Sequence, residues 1–222
     1  MKRKIKIIAL LLSSFLLVSC FEFVEEVSFN EDGSGNVVLT LNLSKSKTKL
    51  ASIMLLDSIN GYKVPSKEKI RQQVNKALVK VKKLKGVSNV QSNLNFKEFI
   101  VTVSFDFDNV DVLNTVIASF SSKKDAMSIK KHKHFTYNKN KKTFTRSHHF
   151  DFSKEIKKAK EKDKAILKDA SYTSIYRFKS PVKTFQNKHC RISKTKKALM
   201  LRASIQDIIT NNKSIKNHIE LE

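Results

Sequence analysis

An apolar residue at every second position of residues 99–107 is the feature that most constrains the fold. The residues concerned are Phe99, Val101, Val103, Phe105 and Phe107. Because successive side chains of a β-strand point to opposite faces, the pattern predicts a strand with one buried face. The rest of the chain must therefore supply a layer that covers this face.

The first half of the chain contains further strand patterns. Residues 23–30 alternate in the same way, although Glu25 interrupts their apolar face. The sequence EDGSG at 31–35 follows, and its glycines can adopt positive φ. Because a second alternating run, 37–43, comes next, we expect a strand–turn–strand hairpin. Residues 87–95 are predicted to pair with the strand described above.

Helical patterns separate these strands. Apolar residues recur at helical spacing from Ser66 to Lys85, and Ser66 can cap the first turn. Residues 46–58 and 110–120 are also predicted to be helical, the second with Asp108 or Asn109 as its N-cap. Strands and helices thus come in ββ and α groups. This order favours an α+β fold with antiparallel hairpins over repeated βαβ units.

The second half repeats this mixture of elements. Residues 128–138 and 141–152 are predicted to form a hairpin, in which a two-residue turn pairs Phe135 with Phe144. The remaining predicted elements are a charged helix at 153–168, a strand at 172–178, a hairpin over 188–203 and a short helix opened by Ser204 and Asp207. No linker rich in glycine or proline interrupts the chain.

These patterns predict one globular α+β domain, or two subdomains of it, of antiparallel sheet packed by helices after a cleaved signal peptide. Residues 1–19 are the leader and residues 20–121 an N-terminal ββααββα region. Residues 122–222 are a basic α+β region that continues the same domain.

The formal net charge of +24 is unevenly distributed. Residues 20–121 contain 13 Lys and Arg against 11 Asp and Glu, whereas residues 122–222 contain 27 against 9. The second half is therefore expected to contact an anionic partner. The candidate ligand-binding residues are Lys130, Lys131, Lys133, Lys142 and Arg146. Aromatic residues are interleaved with these bases, as in binders of single-stranded nucleic acid. In the alternative, the charge serves only solubility.

The N-terminus has the parts of a bacterial export signal. A basic start, MKRKIK, precedes an apolar run that is shorter than the roughly 20 residues of a membrane-spanning helix. Residues 17–20, LVSC, resemble the lipobox of bacterial lipoproteins. The resemblance implies cleavage before Cys20 and diacylglycerol, with acyl chains such as palmitate, on its thiol. In the alternative, an ordinary signal peptide or N-terminal anchor, Cys20 is incidental.

Export also narrows the choice of partner. Two acyl chains suffice for stable anchoring, so we expect the chain on the exported side of the cell membrane. Phe21 stands where enterobacterial lipoproteins retained at the inner membrane have Asp, which favours the outer membrane in a two-membrane cell. An exported domain meets little nucleic acid. Anionic lipids or glycans are the expected partners, and the alternative is a structural or assembly lipoprotein that contacts another envelope protein.

The segment VSFNEDGSG at 27–35, after an acidic stretch, resembles uncharacterised bacterial lipoproteins, including those with LppM-type domains. These open with a hairpin built on a DGSG-like turn. The resemblance implies an envelope-anchored α+β domain, for which lipid or glycolipid binding has been proposed. It implies no catalytic residue, since the shared motif is a turn, and the basic second half is not part of the pattern.

Catalytic signatures such as GxSxG, HExxH and GxxxxGKS are absent from the sequence, so we predict a non-enzymatic protein without a cofactor. The predicted register places His132, His134 and His149 on one strand face, where imidazoles can bind zinc or copper. The alternative is an exposed polar face, which the neighbouring lysines favour. Cys190 lies among bases that can lower the pKa of its thiol, or else it is a half-buried strand residue.

Overall fold

The computed structural model describes residues 21–59, 61–148, 164, 167 and 169–222. The strands in this part of the chain are β1 (Glu22–Phe29), β2 (Gly35–Asn42), β3 (Ser58–Ile59), β4 (Tyr62–Lys63), β5 (Val87–Asn95), β6 (Ile100–Phe107), β7 (Phe135–Asn138), β8 (Thr143–Arg146), β9 (Ser171–Phe178), β10 (Val182–Phe185), β11 (Arg191–Ile192), β12 (Ala198–Ser204) and β13 (Asn217–Leu221). The helices are α1 (Lys47–Ile53), which follows a 3₁₀ turn at Ser44–Ser46, α2 (Lys67–Lys82), α3 (Val110–Phe120), α4 (Lys123–Lys131) and α5 (Ile205–Ile209).

The larger sheet combines strands from both halves of the chain. Its order is β11-β12-β9-β1-β2-β6-β5, with β1 near the centre. β1 pairs with β9 in parallel, so that Phe23 lies opposite Tyr172 and Phe29 opposite Phe178. Its other strand pairs are antiparallel. A second sheet has the order β10-β13-β8-β7, and β3 pairs with β4. The predicted α+β class is confirmed.

A cluster of aromatic rings packs the two large sheets together. The ring centroids of Phe29 and Phe144 are 4.7 Å apart, and those of Phe144 and Tyr176 are 4.9 Å apart. Phe178 stacks on Phe29 at 5.5 Å. Truncation of a buried Phe to Ala typically costs about 3–5 kcal/mol. The cluster therefore contributes a large share of the free energy that holds the second sheet in place.

Side-chain caps fix where the helices begin. The Ser66 hydroxyl accepts a hydrogen bond from the Lys69 N–H at 3.1 Å, as predicted for α2. At α3 the cap is Asn109, whose side chain accepts from the Asp111 N–H at 3.0 Å. Both helices then turn apolar residues toward the core, including Val81.

Asn114 connects α3 to the second sheet. Its amide group donates to the Phe135 carbonyl at 2.8 Å and accepts from the N–H groups of His134 and Phe135 at 2.8 and 3.0 Å. The side chain is buried, and it pairs backbone groups that precede or begin β7. The position of α3 above the larger sheet is thereby coupled to the position of β7.

The predicted strand at 128–138 is wrong in its first part, which belongs to α4. Ser122 caps this helix by accepting a hydrogen bond from the Asp125 N–H at 3.2 Å, and the helix continues to Lys131. β7 begins only at Phe135. A helix cap and helical spacing here prevail over a short alternating pattern.

The turn between β7 and β8 is also longer than predicted. Tyr137, and not Phe135, pairs with Phe144, which leaves residues 139–142 in the loop. The Asn138 side chain accepts from the Lys141 N–H at 2.9 Å, an interaction that helps close this loop. Because the register differs by an even number of residues, the side chains of β7 keep the faces that the sequence predicts.

The remaining elements of the second half agree only in part with the sequence-based predictions. The hairpin over 188–203 is confirmed as β11 and β12. β10, which follows Pro181, was not predicted. The predicted helix at 153–168 and the end of the predicted strand 141–152 lie outside the described residues, apart from positions 164 and 167.

Candidate functional site

A cavity of about 390 Å³ lies on the inner face of the larger sheet, and we call it the apolar cavity. The strands contribute Phe23, Glu25, Val27, Val37, Leu39, Phe105 and Tyr172. The elements that cover these strands contribute Leu113, Val116, Ile117, His134, Phe135, Arg146, His148, Ile205, Ile208 and Ile215. Aliphatic and aromatic side chains dominate this lining.

Local sequence explains why these residues converge. The strand residues fall at alternate positions of β1, β2 and β6, so that their side chains share one face of the sheet. α5 reaches the cavity because the Ser204 hydroxyl caps it, accepting from the Asp207 N–H at 2.9 Å. The cap directs Ile205 and Ile208 toward the lining. The cavity therefore lies between sheet and helices.

A buried polar cluster of Glu25, Arg146, Tyr172 and Tyr176 lies at one side of this cavity. The Arg146 Nη2 is 3.7 Å from the Glu25 Oε2, and its Nε donates to the Tyr176 hydroxyl at 3.2 Å. That hydroxyl in turn donates to the Glu25 Oε1 at 2.8 Å. The guanidinium also lies over the Phe135 ring, 4.3 Å from its centroid. The charge of Glu25 is thus balanced inside the fold.

Burial and charge act together on these groups. Burial by itself lowers the pKa of Arg146. The Glu25 carboxylate and the two tyrosines have a larger effect in the opposite direction, so the pKa of Arg146 is raised. Burial and then Glu25 raise the pKa of Tyr176 and of Tyr172. At neutral pH Arg146 is therefore charged and the two phenols are neutral.

The hydroxyl of Tyr172 is the part of this cluster that a ligand can use. It lies beside Arg146 and Tyr176, yet it makes no hydrogen bond of normal geometry within the described part of the chain. The ring is buried and lines the apolar cavity. A polar ligand atom that reaches this hydroxyl can form a hydrogen bond with it beside the Arg146 and Tyr176 side chains.

Next to the cluster lies a second concavity of about 680 Å³, the polar cleft. Arg146 belongs to the linings of both the cleft and the apolar cavity. The other basic and imidazole side chains of the cleft are Lys188, His189, Lys216 and His218, and none of its described lining residues is Asp or Glu. The cleft thus presents amides, hydroxyls and positive charge beside an apolar compartment.

The polar cleft is built on Asn217, a buried residue of β13. Its side-chain oxygen accepts from the N–H groups of Gln186 and Asn187 at 3.1 and 3.0 Å. The Asn187 side chain donates to the carbonyls of Ser214 and Lys216, both at 2.8 Å. These bonds fix the loop after β10 against the segment before β13.

The predicted basic residues do not form one surface. Arg146 is buried, whereas Lys131, Lys133 and Lys142 are exposed. Lys133, before β7, forms an ion pair of 2.8 Å with Asp111. Lys142, after β7, donates a hydrogen bond to the Glu222 carbonyl at 3.0 Å. The side chain of Lys130 lies outside the described part. Ligand binding by these lysines stays a prediction.

The predicted histidine face is wrong where the structure describes it. His132 is the C-cap residue of α4, and His134 is buried before β7, so the two do not share a strand face. His149 lies outside the described residues. Within the described part of the chain, no three His, Cys, Asp or Glu side chains are grouped to hold a metal ion.

Cys190 is a half-buried free thiol, as the alternative expected, but it lies directly before β11 and is not a strand residue. The Asn217 amide donates to its sulfur at 3.4 Å. Burial raises the pKa of the Cys190 thiol to about 11, so the lower pKa considered from its basic neighbours is wrong. At neutral pH the thiol is protonated.

Sequence reasoning missed both the apolar cavity and the polar cleft. One signal was present, because Glu25 interrupts the apolar face of β1 and a buried carboxylate requires a partner. Its partner Arg146 was predicted to bind a ligand but not to pair with Glu25. Lys188 and Lys216 carried no signal that distinguishes them from the other lysines.

A solved structure has some similarity to this chain. No protein-family model matches the chain, and no curated protein matches it. That solved structure is the NMR structure of the folded domain of the Mycobacterium tuberculosis LppM protein, which matches this chain with a TM-score of 0.39 and 8 % sequence identity. The similarity covers 90 % of this chain and 89 % of that one. These values do not assign the chain to a family. In the described ranges, no helix has the length and apolar character needed to span a membrane.

Proposed function

We propose that this chain is a non-enzymatic lipoprotein of a bacterial envelope, anchored through lipid on Cys20, whose domain binds an anionic phospholipid. The apolar cavity is the observation that carries this proposal. The anchor is supported by the lipobox-like LVSC at 17–20 and by the start of β1 at Glu22, directly after the modified end. The protein then acts on the exported side of the cell membrane, or at the outer membrane if the cell has two membranes.

The apolar cavity suits an acyl chain. Its volume of about 390 Å³ falls within the 300–1,000 Å³ typical of small-molecule sites. Most of its lining is aliphatic or aromatic, so an alkyl chain that enters it is transferred from water to an apolar surface. The Tyr172 hydroxyl supplies a hydrogen-bond donor for an ester carbonyl within the same cavity.

The polar cleft suits an anionic headgroup. Arg146 lines both concavities, so an acyl chain in one and a headgroup in the other belong to a single amphipathic ligand. Lys188 and Lys216 supply cations that favour a phosphate in the cleft. A free anionic glycan uses only the cleft, and the apolar cavity therefore favours lipid.

The lipid site is tested with the full chain, expressed with its leader and purified from membranes. Leu39→Trp fills the apolar cavity, and Val38→Trp adds the same ring to the opposite face of β2 as a matched control. Mass spectrometry of bound lipid should find phosphatidylglycerol with the wild type and Val38→Trp but much less with Leu39→Trp. Equal lipid in both variants, or lipid without anionic headgroups, contradicts the proposal.

The headgroup is tested by charge reversal in the polar cleft. Lys188→Glu with Lys216→Glu should reduce the bound anionic lipid relative to zwitterionic lipid, because the cations facing the phosphate are lost. Lys76→Glu with Lys82→Glu reverses the same number of exposed charges in the second half of α2 and should leave this ratio unchanged. If both double variants reduce the bound anionic lipid equally, the lipid is attracted by the net charge of the protein and not by the polar cleft, which contradicts the headgroup site.

The anchor is tested separately. Cells that express the wild type or Cys20→Ala are labelled with radioactive fatty acid, and the protein is isolated. Label in the wild type alone supports lipidation of Cys20. Equal label, or none, overturns the anchor and leaves the lipid-site experiment to decide the remaining part of the proposal.

A further inference from the structure

A second apolar concavity of about 420 Å³ lies away from the candidate site. It is enclosed by α1, the β3–β4 hairpin, the start of α2 and the ends of β2, β5 and β6. Its lining includes Leu43, Ile53, Met54, Ile70 and Phe99. This part of the fold is apolar although it is peripheral to the cluster that packs the two large sheets.

The loop around this concavity exposes large apolar side chains. Leu55 is 87 % exposed, Leu56 51 % and Tyr62 50 %. Of the seven large apolar residues that are exposed in the described part of the chain, three lie within positions 55–62. Such a concentration at one loop marks a surface that contacts an apolar partner.

Strand register places this loop beside the N-terminus of the described chain. Glu22 at the start of β1 lies opposite Asn42, Asn42 lies opposite Ile100, and Ile100 lies opposite Asn95. Leu43 then donates its N–H to the Phe99 carbonyl at 3.0 Å. Neighbouring strands are about 4.8 Å apart, so the first residue of β1 lies within a few strand widths of the concavity.

The covalent tether to this end is short. Cys20 is two residues before Glu22, a span of at most about 7 Å between their Cα atoms. We infer that Leu55, Leu56 and Tyr62 insert into the acidic bilayer to which the Cys20 lipid is joined. The inference rests on the anchor of the proposed function. We call this end of the sheet, with residues 54–59 and 61–63, the anchored edge.

The charge around the anchored edge fits an acidic bilayer. Lys45, Lys49, Lys63, Lys67 and Lys69 are exposed on α1, β4, α2 and the 3₁₀ turn. The carboxylates between positions 44 and 69 are those of Asp57 and Glu68, and Glu68 is paired with Arg71 at 3.2 Å. Apolar side chains at a tip with lysines behind it are typical of proteins that insert at a membrane interface.

Tryptophan fluorescence tests this orientation, because the chain contains no Trp. Leu56→Trp places a fluorophore at the anchored edge, and Val79→Trp places one at a residue of equal exposure, 51 %. Val79 is about 13 Å further along α2 than Ile70, which lines the concavity. Leu55→Trp repeats the measurement at a residue that is 87 % exposed.

Each full-length variant is purified from membranes, its lipid on Cys20 is verified by mass, and it is reconstituted into phosphatidylcholine and phosphatidylglycerol vesicles with brominated acyl chains. We expect a blue shift and quenching at positions 55 and 56 but not at position 79. A lipidated protein without quenching at position 56 overturns the inference and leaves the anchor intact. A blue shift without quenching also overturns it, because the edge is then covered by protein. An unmodified Cys20 overturns the anchor first.

Discussion

The guanidinium of Arg146 faces the carboxylate of Glu25 across 3.7 Å, with only 8 % and 12 % of the two side chains exposed. Removal of one partner leaves the other charge buried, which typically costs about 3–5 kcal/mol. We therefore expect Arg146→Met to lower the free energy of unfolding by about this amount. Urea denaturation followed by far-ultraviolet circular dichroism measures the change.

The double variant Arg146→Met/Glu25→Gln is the control for this prediction. It removes both charges and retains an amide that can accept the Tyr176 hydroxyl hydrogen bond. Its stability should exceed that of Arg146→Met alone, since no buried charge is left without a partner. A double variant that is less stable than Arg146→Met shows that the ion pair is not what the single substitution disrupts.

Asn114→Ala should be strongly destabilising. The substitution leaves the His134 and Phe135 N–H groups and the Phe135 carbonyl without their buried partner. Each unsatisfied buried group costs about 1–3 kcal/mol, so a loss of about 3 kcal/mol in the free energy of unfolding is expected. Thr115→Ala, on the exposed side of the same helix, should change it by about 0.5 kcal/mol or less. Similar urea midpoints for the two variants contradict this prediction.

Gly35→Ala and Gly61→Ala should differ in severity. A Cβ at Gly35 lies 1.9 Å from the Ser28 carbonyl oxygen and 2.7 Å from the Phe107 ring, so the β1–β2 pairing must move. We expect a loss of about 3 kcal/mol or more. At Gly61 nothing lies within 4 Å of the new atom, and the φ of +80° alone costs about 1 kcal/mol. Thermal unfolding measures the stability of both variants. An equal loss of stability in the two contradicts a clash between the new Cβ at position 35 and the Ser28 carbonyl oxygen.

Alkylation of Cys190 should be slow in the native protein. Burial disfavours the thiolate and raises the pKa from 9.0 to about 11, so about 0.1 % of the thiol is ionised at pH 8. Iodoacetamide should therefore modify Cys190 about 100-fold more slowly in the folded protein than in urea. Peptide mass spectrometry locates the label. A native rate that reaches its plateau below pH 9 contradicts the burial of this thiol.

The sequence predicts those parts of the fold that depend on neighbouring residues. Ser66 caps α2 as expected, and the alternation predicted from Phe99 yields β6 with Phe105 and Phe107 buried. The strand begins only at Ile100, because Phe99 lies in the preceding turn with a φ of +54°. The parallel pairing of β1 with β9 could not be predicted, because both strands also match the pattern of an antiparallel partner. Local periodicity determines which face of a strand is buried but not which strand lies beside it.

The candidate site was harder to predict for the same reason. Glu25 was visible as an interruption of an apolar face, but Arg146 lies in the other half of the chain and only the tertiary fold brings the two together. His134 illustrates the opposite error. His134 belongs to an alternating segment that predicts a strand. In the structure, the helix capped by Ser122 occupies this segment as far as Lys131, and His134 is buried between that helix and β7.

The central position of β1 has a consequence for the order of folding. One edge of β1 can pair with β2 as soon as the first hairpin forms, but the other edge has its partner only in β9, near the far end of the chain. Contacts between such distant segments form slowly, and an uncovered strand edge is a site of aggregation. The newly made chain therefore passes through a stage in which its first strand is open to any extended segment nearby. A chaperone that shields this edge should raise the yield of native protein.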